Sequence, residues 1–303
     1  MSGVSQTASA GELTVERRSA TPSARRRLTR QPVAMISGFI LLAIFVVGAL
    51  GPHFVSPALV HLTDEWRNHP PTITGWNLFG TDAIGENLLV RTLYGLHASE
   101  ITALAATAMA TVIGVALGSI AGYRGGWLDV AIMRVTDLLG VFPLIVVFLA
   151  VYTYFTPVTA WKATFALTAF LWIPVARVVR AEIASIRERE FVQAALSLGA
   201  SDRRIFVRHL LPTASGTVII AATALLAQVF VLEATLDFFR LGVSTATQNT
   251  LGNLIGENQA NVFELGQGWW SWGFPAGVLL VILVCTNLLG DGIAEAIRPP
   301  RQR

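Results

Sequence analysis

Residues Glu188 to Pro212 read EREFVQAALSLGASDRRIFVRHLLP. In helical register Phe191, Ala194, Ala195 and Leu198 share one face, and Gly199 follows where a left-handed residue ends a helix. Ser201 or Asp202 is then placed to cap a second short helix, Arg203 to Leu211. The expected motif is helix, glycine turn, helix. Its alanines leave room for close approach, and Phe191 and Leu198 offer knobs for a groove, as in an amphipathic helix docked on a partner. The competing reading is an interfacial helix held on lipid by its arginines.

The flanking sequence decides what the segment hangs from. Of 303 residues, 53% are hydrophobic and 14% charged, against a charged share of about 25% in soluble domains. Mean hydropathy is +0.58. The apolar residues fall into blocks able to cross a bilayer core of about 30 Å, which excludes an ordinary soluble enzyme. Val33 to Leu50 is uncharged, enough for about 27 Å of helix. Ile101 to Gly122 is uncharged and rich in Ala, Gly and Thr, a composition that lets helices pack closely. A third block runs from Leu128 to Phe155. The fourth is uncharged only from Ala163 to Ala176 and reaches Ile183 if Arg177 and Arg180 snorkel. The fifth covers Thr213 to Phe239 and the sixth Trp269 to Ala294. The expected fold class is therefore an all-α membrane protein with six transmembrane helices.

Charge fixes the expected orientation, because cytoplasmic loops carry the excess of Lys and Arg. With the amino terminus inside, external segments hold only Arg67, Arg91, Lys162 and Arg240. Arg134 falls within the third span, and the other arginines lie on the cytoplasmic side. The expected organisation is a disordered cytoplasmic tail (1–30), a first span (31–51), an external loop (52–96), a core of five spans (97–298) and a short cytoplasmic tail (299–303). Residues 241–268 form a second external loop. Trp127 at the inner edge, and Trp161, Trp269, Trp270 and Trp272 at the outer edge, are expected in interfacial belts. Cys285 lies in an apolar run and reads as a small buried hydrophobe.

The spacing Gln193-Ala194-Ala195, Gly199, Leu211-Pro212 resembles the EAA loop of ATP-binding-cassette (ABC) importer permeases. FGTDAIGENLLVRTLYG (Phe79 to Gly95), AGYRGGWLDVAIMRVTDLLGVFP (Ala121 to Pro143), LEATLDFFRLGV (Leu232 to Val243) and NLLGDGIAEAIRP (Asn287 to Pro299) resemble, in order, the C-type subunit of the dipeptide/oligopeptide permease family. The resemblance covers about residues 32 to 300. It implies the type I ABC importer permease fold, with residues 187–212 as the coupling helix that contacts the ATPase through Glu190, Phe191, Gln193, Ala194, Ala195, Leu198, Gly199, Asp202, Leu211 and Pro212. It also implies a second homologous permease subunit forming a heterodimer, two ATP-binding subunits or domains that hold ATP and Mg, an external solute-binding protein, a peptide substrate and a place in a bacterial cytoplasmic membrane. Gln193 replaces the motif's acidic residue. Gly85-Glu86-Asn87 and Phe238-Phe239-Arg240-Leu241-Gly242 also depart from the family pattern, on external loops that bear on substrate or receptor specificity.

Charged residues inside a bilayer each require a partner or a water-filled path. Asp137 lies about 13 Å into the third span, with Arg134 one turn away as its expected partner. Glu233 and Asp237 share one face of the fifth span at a spacing where like charges repel. Asp137, Glu233 and Asp237 are thus candidates to line the translocation path, with an ion pair in the bundle or contacts to a second subunit as alternatives. His53, His61 and His69 match no metal-ligand spacing, so no metal site is expected. No GxxxxGK[ST], GxSxG or HExxH occurs, so no nucleotide site, catalytic residue or cofactor is expected in this chain, nor any nucleic-acid partner. Rival readings are an importer permease for another solute such as a nickel chelate, an ion-coupled secondary transporter using Asp137 or Glu233, and a membrane scaffold.

Overall fold

In a bilayer a backbone amide has no water to bond to, so an apolar block satisfies its own amides by becoming helix. The computed structural model describes residues 28–60, 67–73, 77–154, 159–239, 249–259 and 268–297. The expected tails, Arg240, His61 and parts of both external loops lie outside the described residues.

Among the described residues five helices are long and apolar enough to cross a membrane, or six spans if a bent helix pair counts as one. The first is α1 (Pro32–Phe54). The second, α2 (Leu88–Arg124), has 37 residues and spans about 55 Å, longer than a bilayer core is thick. It begins inside the stretch read from sequence as loop 52–96. Arg91, His97, Ser99 and Glu100 break its hydrophobicity, while Asn87 caps it by accepting from the Val90 amide. The third block is not one straight span. It is α3 (Gly126–Gly140) and α4 (Leu144–Tyr154), bent by 77° at the break. Pro143 accounts for the break, since it lacks an amide hydrogen and drives the preceding residue out of helical geometry.

The fourth block is α5 (Ala160–Arg187), the least hydropathic span and the most buried. These facts are one. A helix walled in by other helices meets little lipid, so lipid does not select its composition. The segment from Arg187 to Pro212 holds α6 (Glu190–Ser197) and α7 (Asp202–Ile205), then a π turn, Phe206–Leu210, that runs into α8 (Leu211–Phe238). Inside the expected second external loop is a short helix, α9 (Leu251–Glu257). The last span is α10 (Trp269–Ile297).

The central packing is α2 against α5. Gly114, Gly118 and Gly122 recur every four residues on α2, and a Cβ added at each would sit 2.6 Å from Val175 Cβ, 2.4 Å from the Ala176 carbonyl oxygen and 2.5 Å from the Arg180 carbonyl oxygen. Only glycine permits this approach, which is how membrane helices gain contact where no hydrophobic effect drives them together. Around this pair α8 packs on α5, α2 and α10, while α1 lies against α10 and α2. The outward face of α1, including Ile36, Phe39 and Leu42, is exposed, as a lipid-facing surface requires.

Candidate coupling segment and outer polar cluster

At one end of the bundle the segment from Arg187 to Pro212 folds as helix, turn and helix. Val192 anchors α6 by full burial, Ala195 packs half-buried on the core, and Ile205 and Leu210 are buried beyond the turn. The opposite side of α6 is open. Glu190, Gln193 and Ala194 are exposed, as are Phe191 at 45% and Leu198 at 88%. The Gln193 amide donates to the Arg187 carbonyl at 3.0 Å, tying α6 to the end of α5. Gly199 adopts φ +77°, a left-handed conformation that costs other L-residues about 1–2 kcal/mol. Its amide bonds Leu196 O at 2.9 Å and the Ala200 amide bonds Ala195 O at 3.1 Å, the paired bonds of a Schellman end.

Two details differ from the sequence reading. Neither Ser201 nor Asp202 caps α7 through its side chain; Asp202 Oδ1 instead accepts a 2.8 Å bond from the Tyr123 hydroxyl of α2. Nor do residues 203–211 form a separate short helix. Asp202–Phe238 runs on as one helical span, because the π turn, where the Leu211 amide bonds Phe206 O, relieves the helix next to Pro212. Leu211 and Pro212 thus sit at the start of α8, partly or fully open at the surface. The Tyr123 ring also meets Phe206 at 6.3 Å and lies under the Arg187 guanidinium at 5.8 Å. Tyr123 therefore joins the end of α2 to both halves of the segment.

Asp137 pairs with Arg177 of α5 at 2.9 Å, not with Arg134. Arg180 of α5 grips Asp129 of α3 with both Nε and Nη2. The arginines expected to snorkel instead fasten α3 to α5, because α3 lies alongside α5 and presents both carboxylates to it. Asp137 keeps an exposed side chain.

Glu233 and Asp237 are buried at 3% and 2% exposure within the chain's own bundle. The Asp237 carboxylate serves α9. Asp237 accepts from the Thr250 hydroxyl, which accepts in turn from the Asn253 amide at 3.2 Å. Beside Glu233, the Ser99 hydroxyl oxygen accepts from the Leu251 amide at 3.3 Å, while Glu233 Oε1 is left without a hydrogen-bond partner. The amino-terminal amides of α9 thus end on the Thr250 and Ser99 hydroxyls, and the Thr250 hydroxyl in turn donates to Asp237.

At the other end of α9, Glu257 meets Arg91. This buried arginine is the hub of the end of the bundle opposite α6: Nη1 pairs with Asp82 and, at 3.0 Å, with Glu86, while Nη2 reaches Glu257 at 2.5 Å. Asp82 also accepts from the amides of Ile84 and Glu86. Trp270, expected in an interfacial belt, is buried, and its indole donates to Thr81 O at 3.0 Å. The sequence reading did not single out this cluster. Its one signal was the position of Asp82, Glu86 and Arg91 within FGTDAIGENLLVRTLYG.

A family model described as the binding-protein-dependent transport system inner membrane component matches residues 114–302. The chain belongs to this family. A second model, the N-terminal transmembrane domain of oligopeptide transport permease C, matches residues 20–71 of this permease. The dipeptide transport system permease protein DppC of Bacillus subtilis (strain 168) is 33% identical over 284 residues, covering 93% of this chain and 87% of that protein. The oligopeptide transport system permease protein OppC of Mycobacterium tuberculosis (strain H37Rv) is 35% identical over 279 residues, with 90% and 92% covered. Among solved structures, a chain of the inward-facing MetNI methionine ABC transporter superposes with a TM-score of 0.57 at 18% identity, covering 69% of this permease and 97% of that chain. The fold is thus that of a type I ABC importer permease, integral to the inner membrane.

Proposed function

We propose that this permease is one of two homologous membrane subunits of an ATP-driven importer of peptides, with both termini cytoplasmic. Two ATP-binding subunits hold ATP and Mg, an external binding protein delivers the peptide, and this chain performs no catalysis itself. The observation that carries the reading is α6: an anchored helix with Phe191, Ala194 and Leu198 outward, ending in a rigid glycine turn and joined to a span through α7 and the π turn. A force on α6 therefore reaches α8 without a flexible linker to absorb it. ATP-bound and open ATPase dimers must grip α6 differently for ATP to shift the permease between states, since only differential affinity moves such a balance. The peptide assignment is supported by the dipeptide and oligopeptide relatives.

The test is reconstitution of the complete complex in liposomes, with wild-type permease or Gly199→Asp. Wild type is expected to take up peptide only with ATP inside and binding protein outside. Gly199→Asp is expected to lose ATPase association and uptake together. Uptake that persists with Gly199→Asp and follows a proton gradient would overturn the proposal.

A further inference from the structure

A cavity of about 560 Å³ opens where the end of α2 meets α3 and α7. Its polar wall holds Ser119, Arg124, Asp202 and Arg203, and its apolar wall includes Ile120 and Phe206. We propose that this cavity binds the phosphate headgroup of an anionic phospholipid, with an acyl chain leaving along Ile120. The site goes beyond the transport reading and does not depend on which solute is carried.

Charge is the first argument. Arg177 and Arg180, one helix away, each have an aspartate partner. Arg124 and Arg203 have no carboxylate partner among the described residues, and both are exposed. The one acid in the wall, Asp202, has an oxygen occupied by the Tyr123 hydroxyl, and Arg187 adds a third positive charge beside Tyr123. The cavity is therefore net positive, with two open guanidinium groups of the kind that bind phosphate through paired N–H donors.

Ser119 is the second argument. The residue is 1% exposed, lines the cavity, and its hydroxyl oxygen has no hydrogen-bond partner. Several buried hydroxyls of the described residues lack a partner, but Ser119 alone among them lines this cavity, where a ligand or water can reach it. Depth is the third. Arg124 ends α2, and Trp127 just beyond it is exposed at 76%, as a residue at the headgroup level would be. Ser119 lies five positions earlier, about 7 Å farther in. A lipid whose phosphate enters between Arg124 and Arg203 carries its ester oxygens to that depth, where the Ser119 hydroxyl can donate to them, and leaves its acyl chain against Ile120, whereas a soluble subunit docked on α6 does not reach so far. Basic pockets between helices on the cytoplasmic side suit such headgroups.

The experiment uses the complete complex in neutral detergent, titrated with phosphatidylglycerol or phosphatidylcholine and read by native mass spectrometry. Wild type is expected to retain phosphatidylglycerol in preference to phosphatidylcholine. Arg124→Gln with Arg203→Gln is expected to weaken that retention about 25-fold, from the usual contribution of each arginine near an anionic headgroup. Arg124→Lys with Arg203→Lys should keep most of it, and removing two tail charges, Arg17→Gln with Arg18→Gln, should change nothing. Ile120→Trp, which fills the cavity and leaves both arginines, should lose phosphatidylglycerol; this keeps the test decisive if the glutamine pair fails to assemble. Millimolar inorganic phosphate that binds alone and displaces the lipid supports the phosphate site and overturns its lipid source. Equal retention by wild type and the glutamine pair overturns the proposal. So does phosphatidylglycerol that binds only after the ATPase subunits are stripped away, because the cavity then belongs to their interface.

Discussion

Gly118 and Glu100 are the two residues where the structure says most about single side chains. A Cβ at Gly118 meets the Ala176 backbone at 2.4 Å, and backbone cannot swing aside. Gly118→Leu is expected to push α2 off α5 and lower stability by about 1–3 kcal/mol, the usual cost of overpacking. A fall in melting temperature of the detergent-purified complex checks this; an unchanged value would mean that the two helices part without cost. Glu100 is the reverse case. It is 3% exposed, its carboxylate lies against Gly48 of α1, and its Oε1 has no hydrogen-bond partner. Leaving a buried acceptor unsatisfied costs about 1–3 kcal/mol, so Glu100→Met, of similar shape, is expected to raise the melting temperature. Glu100→Gln, which keeps a polar group there, is expected to recover little of that gain. Both residues were visible in the sequence, Gly118 within a small-residue run and Glu100 as a charge just before the second apolar block. Their contacts were not, because what each touches lies on another helix.

At the scale of elements, the turn after α6 was legible from one residue: Gly199 ends the helix because it alone adopts φ +77° cheaply. The continuation of α7 into α8 was not legible, since Pro212 reads locally as a boundary and only the π turn before it keeps the helix running. This continuity separates docking from stability. Phe191→Ala with Leu198→Ala removes exposed knobs outside the buried core, Phe191 meeting the His209 ring at 6.4 Å, so it is expected to leave stability within about 0.5 kcal/mol of wild type. The same pair is expected to weaken co-purification of the ATPase subunits at least tenfold, as removing anchors from an interface does. Retention equal to wild type would take α6 out of the interface. The break between α3 and α4 follows the same lesson in reverse. A continuous apolar block reads as one span, but Pro143 divides it, and the ion pairs from Arg177 and Arg180 hold α3 along α5.

Across the whole molecule, Arg91 ties residues 82–86, the start of α2 and α9 into one end of the bundle. Arg91→Gln would leave three carboxylates together without their cation, and breaking a buried ion pair from one side costs about 3–5 kcal/mol. The expected result is faster protease cleavage outside α2 and around α9, with the α2 and α5 core still resistant; cleavage at the wild-type rate would show that the cluster does not hold that end. The sequence by itself determined the membrane as solvent, most of the helices and the glycine turn after α6, because hydrophobic block length and a left-handed glycine act over a few residues and need no neighbour to be read. It misplaced the partners of Asp137, the surroundings of Glu233 and Asp237, and the start of α2. Those were decided only by the tertiary structure, because a charged side chain takes whichever partner the packing brings within about 3 Å, and here that partner came from another element: Arg177 for Asp137, Thr250 for Asp237, Glu257 for Arg91.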